Sequence, residues 1–180
     1  LRTLVLVATR SITYAVREGT AWRPDVAEYP PSLQQRGAAF VTLHRDGLLR
    51  GCIGQLVATE PLVRCVADRA RAAALSDPRF HPVEPHELDG LDIEVSVLGE
   101  PVEFEVTDFD DLLRTLRPGV DGLVVDAPTH RATFLPAVWD DLPSAAEFVD
   151  ALWRKAGLGP REWPPHIRLS RYTTQLATTD

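Results

Sequence analysis

Asp46-Gly47 separates two runs of strand-forming residues, "AAFVTLH" (38–44) and "LLRGCIG" (48–54). An Asp-Gly pair supplies the two positive-φ positions of a type I′ turn, whose twist matches that of two antiparallel strands. The chain is therefore expected to contain an antiparallel hairpin, with its register set by the turn. Val41 falls opposite Cys52 and Leu43 opposite Arg50, while on the other face Phe40 falls opposite Ile53. Both faces carry apolar side chains, so both should be at least partly covered.

The rest of the chain mixes helices and strands. Leu1, Leu4, Val5, Ala8, Ile12, Ala15 and Val16 recur at three- and four-residue steps, which predicts a helix over 1–18 with Gly19 as its stop. Pro24, Pro30 and Pro31 then mark an irregular connector. A second helix is predicted over 60–75, capped by Thr59, with Pro61 in its first turn and an apolar stripe of Leu62, Val66, Ala70 and Ala73. "LDIEVSVLG" alternates, placing Leu91, Ile93, Val95 and Val97 inward and Asp92, Glu94 and Ser96 outward. A short helix near 108–116 has an acidic first turn, and "GLVVDA" with "RATFL" makes a second hairpin around Pro128-Thr129-His130. Ser144 and Glu147 have capping-box spacing for a helix to Ala156, stopped by Gly157. A last strand is expected near 167–175. Hairpins without βαβ alternation predict the α+β class, an antiparallel β-sheet flanked by α-helices.

At 180 residues the chain suits one well-buried core. Its formal charge of −7 excludes a general phosphate-backbone binder, which needs a basic face. The apolar run Leu4 to Ala8 is too short for a membrane span. Two cysteines, Cys52 and Cys65, make no disulfide framework, and a reducing cytoplasm is the expected compartment.

Cys52 carries the sharpest chemical signal. Strand alternation places Arg50 and Cys52 on one face, about 7 Å apart along the strand. A guanidinium there would favour the thiolate. Gly51 and Gly54 remove bulk on either side, as happens where a bulge, another backbone or a ligand comes close. Two roles fit this pattern: a reachable, activated thiol, or a small apolar side chain in a packed strand. Cys65, beside Leu62 and Val66 on a helix, fits packing.

In "DPRFHPVEPHE", Arg79 has the planar fork that grips carboxylate or phosphate, or else serves a structural ion pair. His81 and His86 lie five apart on a Pro-rich stretch, which is not zinc-ligand spacing, and no metal site is expected. No Gly-x-Ser-x-Gly elbow or phosphate-binding glycine loop occurs.

"LRGCIG" resembles the signature hexapeptide of the AMMECR family, also called protein A of AmmeMemoRadiSam systems. The resemblance extends through "FVTLHRDGLLRGCIGQL", "EPL", "AAALSDPRF", "LDIEVSVL", "LRPGVDGLVV", "FLPAVW" and "KAGL", over roughly 37–163. It implies one AMMECR-type domain over 1–180, with larger and smaller lobes and the signature beside a cleft between them. It also implies companionship with a Memo-like protein of dioxygenase fold and with a radical-SAM enzyme, and a small-molecule or peptide ligand. No settled reaction or cofactor comes with it. On the same-face Arg-x-Cys arrangement between glycines, and for Arg79 on its place in a family-like motif, the candidate site comprises Cys52 as the catalytic thiol, with Arg50, Gly51, Gly54 and Arg79 binding substrate. A non-catalytic adapter or ligand-binding module is the alternative. Relatives often have glutamine where this chain has Ala137, and cysteine where it has Trp153, so a mechanism requiring that amide or a second thiol does not carry over.

Overall fold

In the computed structural model, which describes residues 1–179, helix α1 (Arg2–Glu18) forms where the apolar spacing predicts it. Leu4, Val5, Val7, Ala8, Ile12 and Ala15 are buried, and Gly19 ends the helix at φ 69°, its N–H donating to the Ala15 carbonyl. The Pro-rich connector holds a 3₁₀ turn (Val26–Glu28) and the short helix α2 (Pro31–Gln34).

Strands β1 (Arg36–Arg45) and β2 (Leu48–Gly54) form the hairpin. Asp46 and Gly47 take φ 53° and 76°, so the turn is as expected, and Arg45 pairs with Leu48 and His44 with Leu49. Beyond those two pairs the expected register is corrected. A bulge between Leu43 and His44 leaves Arg50 as the extra residue on β2. Leu43 then pairs with Gly51, Thr42 with Cys52, Val41 with Ile53 and Phe40 with Gly54. The cause lies in a later segment: a Cβ at Gly51 would stand 2.2 Å from the Ala73 carbonyl oxygen. Only glycine fits there, and the bulge delivers it opposite Leu43 while turning Ile53 toward the core.

The expected second helix also starts later. Glu60, before a proline, stays extended, and Glu60–Pro61 form the short strand β3 against Arg36 and Gly37. Helix α3 (Leu62–Leu75) follows without a Thr59 cap, and its first N–H donates to the Gln35 carbonyl at 2.8 Å. Its buried face includes Val63, Cys65, Val66, Ala70 and Ala73, and Ser11 Oγ on α1 donates to its Ala67 carbonyl at 2.7 Å. A 3₁₀ helix (Pro85–Gly90) leads into β4 (Leu91–Leu98), antiparallel to β1. Ile93 and Val95 join Ala39, Val41 and Leu43 in the core shared with α1 and α3. Ser96, expected outward, is buried, with its hydroxyl 3.5 Å from Glu94. The sheet order is β2–β1–β4, followed by the C-terminal strand (Thr174–Thr178), with β3 also on β1.

That sheet and its helices make one compact unit, residues 1–98 with the chain from Gln175; residues 99–174 make a second. The second contains β5 (Val102–Glu103), α4 (Phe109–Thr115), β6 (Gly122–Ala127), β7 (His130–Phe134), α5 (Ala145–Ala156) and β8 (Arg168–Tyr172). Its sheet order is β5–β8–β6–β7. Asp108 and Ser144 cap α4 and α5 with side-chain oxygens, and Gly157 ends α5 at φ 80°. Its core is aromatic: Trp139 stacks on Phe148 with centroids 3.9 Å apart, and Trp153 meets Phe109 edge-on at 5.0 Å. The single strand expected near 167–175 is two, β8 and the C-terminal strand, β9, which pair in different sheets. Both units are helix-covered antiparallel sheet, the α+β class. No helix among the described residues is long and apolar enough to cross a membrane.

Candidate functional site

β2 is the edge strand of its sheet. The N–H and carbonyl of Cys52, facing away from β1, would be open on such an edge. Instead, one ion pair occupies the position of a further strand. Cys52 N–H donates to Asp77 Oδ2 at 2.8 Å, and Arg79 Nη2 donates to the Cys52 carbonyl at 3.4 Å. The pair is locked internally: Arg79 Nε donates to Asp77 Oδ1 at 3.0 Å, and Nη2 to Oδ2 at 2.7 Å.

Local sequence builds this clamp. Asp77 follows the end of α3, and its Oδ1 accepts the Arg79 backbone N–H at 3.1 Å in an Asx-type turn over Pro78. The Asp77 side chain is 2% exposed, whereas that of Arg79 is 52% exposed and lies over the Phe80 ring at 5.4 Å. The Arg79 guanidinium, chiefly, holds the Asp77 carboxyl far below the usual carboxylate range, against the opposing effect of burial.

Arg50, the bulge residue, is committed elsewhere. Its Nε and Nη2 donate to Glu87 Oε1 and Oε2, each at 2.9 Å, and its Nη1 donates to the His81 carbonyl at 2.9 Å. Arg45 Nη1 reaches the same Glu87 Oε1 at 2.9 Å, and Glu84 N–H donates to Oε2 at 2.8 Å. Glu87 is buried, and Arg50 first among its partners brings its carboxyl down to about 2. Arg50 therefore fastens the hairpin to the 81–87 segment. The charges acting on Arg50 come from Glu87 and Glu84, while those on Arg79 come from Asp77 and, least, Cys52. The cation that contacts Cys52 is Arg79, through the Cys52 carbonyl.

Cys52 is half-buried, with Sγ 3.3 Å from Thr42 Oγ1. The register continues this row to Glu94 on β4, opposite Thr42. Thiol, hydroxyl and carboxylate thus occupy adjacent cross-strand positions. The space beside the glycines is filled by protein: Ala73 backbone under Gly51, and the Phe40 ring over Gly54, where a Cβ would stand 2.1 Å from the ring. Cys65 lies in the core, where burial pushes its thiol up to about 11.

The structure therefore brings Arg79 to the backbone carbonyl of Cys52 and directs Arg50 to Glu87. Sequence reasoning missed Asp77, Glu87 and Thr42 as partners. For Asp77 the signal was local, an acidic residue two before an arginine across a proline. For Glu87 the only trace was its place three residues after Glu84 at a Pro-initiated turn.

A family model described as AMMECR1 matches residues 5–177. A protein of Methanothermobacter thermautotrophicus is 40% identical over 186 residues, spanning 99% of this chain and 94% of that protein. A Thermococcus gammatolerans protein is 37% identical across 96% of this chain and 87% of its own length. The crystal structure of the uncharacterized protein PH0010 from Pyrococcus horikoshii matches with a TM-score of 0.88 at 33% identity, over 97% of this chain and 88% of that one.

Proposed function

The chain belongs to the AMMECR1 family, and on that premise we propose that it is an enzyme-associated component in which Cys52 meets a small-molecule or peptide ligand. Its companions in this reading are a Memo-like protein and a radical-SAM enzyme. Arg79 offers the ligand an anion contact, because its Nη1 makes no hydrogen bond among the described residues and its side chain is half exposed. Arg50, Gly51 and Gly54 act by fixing the strand that carries the thiol.

One observation supports this most: both outward backbone groups of Cys52 are held by the Asp77–Arg79 pair. Water could satisfy an exposed strand edge. A buried carboxylate aimed at one residue fixes that residue's place, as functional groups require. The adapter reading is favoured by a different observation, that both guanidinium groups already hold carboxylates.

Two measurements test the proposal. Iodoacetamide on the folded protein, read by mass spectrometry, is expected to label Cys52 and spare buried Cys65. Purified Memo-like and radical-SAM partners are expected to bind the wild-type chain and to lose pathway activity with Cys52→Ser. A Cys52 that labels only after denaturation, or no binding to either partner, refutes the proposal. Full pathway activity with Cys52→Ser establishes the adapter reading in its place.

A further inference from the structure

Away from Cys52, α1 carries a solvent face that its own packing does not use. A shallow hollow of about 420 Å³ runs along it, lined by Leu6, Thr9, Arg10, Thr13, Tyr14 and Arg17, with Glu18 at its end. These positions recur at three- and four-residue steps and share one side of the helix. Leu6 is 69% exposed and Tyr14 41% exposed, large apolar side chains on the face opposite the core.

The charges on this face run against the rest of the protein. The chain carries a net charge of −7, yet on this face Arg10 lies between Leu6 and Tyr14, four residues from each, Arg17 lies one turn beyond Tyr14, and Glu18 is the only acid in the hollow. Arg10 lies over the Trp22 ring at 4.7 Å. Neither Arg10 nor Arg17 has a carboxylate partner among the described residues. An acidic partner is repelled by the surface at large and drawn to this face, which selects both where it lands and how it is oriented.

We propose that the Leu6–Arg17 face of α1 is a docking surface for an acidic amphipathic helix of a partner protein. Apolar side chains of that helix pack on Leu6 and Tyr14, and its carboxylates pair with Arg10 between them and with Arg17 beyond Tyr14. This is the helix-on-groove mode, read as anchors at helical spacing. Nucleic acid fits less well. Two guanidinium groups match few phosphates, and exposed Leu6 needs an apolar counterpart.

The test uses the whole chain and a fluorescein-labelled helical peptide with leucine along one face and glutamate elsewhere, followed by anisotropy. The controls are the same peptide with lysine for glutamate, and a single-stranded oligonucleotide. The acidic peptide is expected to bind saturably, more weakly as salt rises, and the lysine peptide not to bind. Arg10→Glu with Arg17→Glu should weaken binding about tenfold or more, and Leu6→Glu alone by a similar factor. All three positions are exposed, so urea midpoints should stay close to wild type and separate lost docking from lost folding. No saturable binding of the acidic peptide, equal binding by these variants, equal binding of the lysine peptide, or tighter binding of the oligonucleotide would each overturn the proposal.

Discussion

Replacing Asp77 tests the clamp directly. Its carboxylate accepts from Cys52 N–H, Arg79 N–H, Arg79 Nε and Arg79 Nη2 while almost wholly buried. In Asp77→Ala, the half-exposed guanidinium of Arg79 turns to water and recovers most of what it loses. Cys52 N–H does not, because a strand amide cannot turn and this one faces the buried place of the Asp77 carboxylate rather than open solvent. A hydrogen bond to a charged group contributes about 1.5–3 kcal/mol, and an unpaired buried donor costs about 1–3 kcal/mol, so a loss of about 3 kcal/mol is expected. Asp77→Asn keeps an acceptor for Cys52 and should lose about 1–2 kcal/mol. Urea denaturation followed by tryptophan fluorescence gives both numbers. The acid dependence carries a definite sign. The folded carboxyl lies below its ordinary range, so its contribution is complete above about pH 4 and disappears as the pH falls further. The stability gap between wild type and Asp77→Asn should therefore narrow below that pH. Amide exchange at Cys52 adds a local readout, since its protection should drop more than that of Val41. If Asp77→Ala stays within about 0.5 kcal/mol of wild type, a neutral surface change, and Cys52 exchange is unaltered, the clamp is not holding the strand.

Other perturbations reach neighbouring parts of the site. Gly51→Ala drives a Cβ to 2.2 Å from the Ala73 carbonyl oxygen, a backbone atom fixed in α3, and should cost about 2–3 kcal/mol in urea melts. Gly54→Ala meets only the Phe40 ring, so combining it with Phe40→Leu should recover part of the loss, and a double-mutant cycle measures that coupling. Glu87→Gln leaves Arg45 and Arg50 without their shared carboxylate and should cost about 2 kcal/mol at neutral pH. The Glu87 carboxyl sits at about 2 rather than 4.5, so this cost should shrink as pH falls through that window, as acid melts would show.

Local signals carried much of the fold. The spacing on α1, the Asp46-Gly47 turn, the glycine stops at Gly19 and Gly157, and the Ser144 cap each depend on a few adjacent residues, and each stands where expected. Features set by distant partners were not legible. The bulge at Arg50 answers to the Ala73 carbonyl, and nothing within "LLRGCIG" announces that neighbour. Arg50 and Glu87 lie 37 positions apart, so the arginine looked free to grip an anion until folding gave it a carboxylate. The single strand read over 167–175 concealed a change of sheet at Thr173, where no proline or glycine marks the break. At the site, Cys52 and Arg79 were both readable as residues of interest. The hydrogen bond from Arg79 to the Cys52 carbonyl was not, because it depends on where α3 ends beside β2.

The strand that follows Thr173 sets a schedule for synthesis. β9 lies beside β4, yet every residue of 99–174 must be translated between them. On the ribosome, the 99–174 segment has all its sheet pairings in hand while the flank of β4 stays bare, waiting for Gln175 and its successors to emerge. Chains that stall or are clipped shortly before that point would display an unpaired β4 to one another, which is a template for clumping. β9 thus acts for the nascent 1–98 unit as a latch on β4.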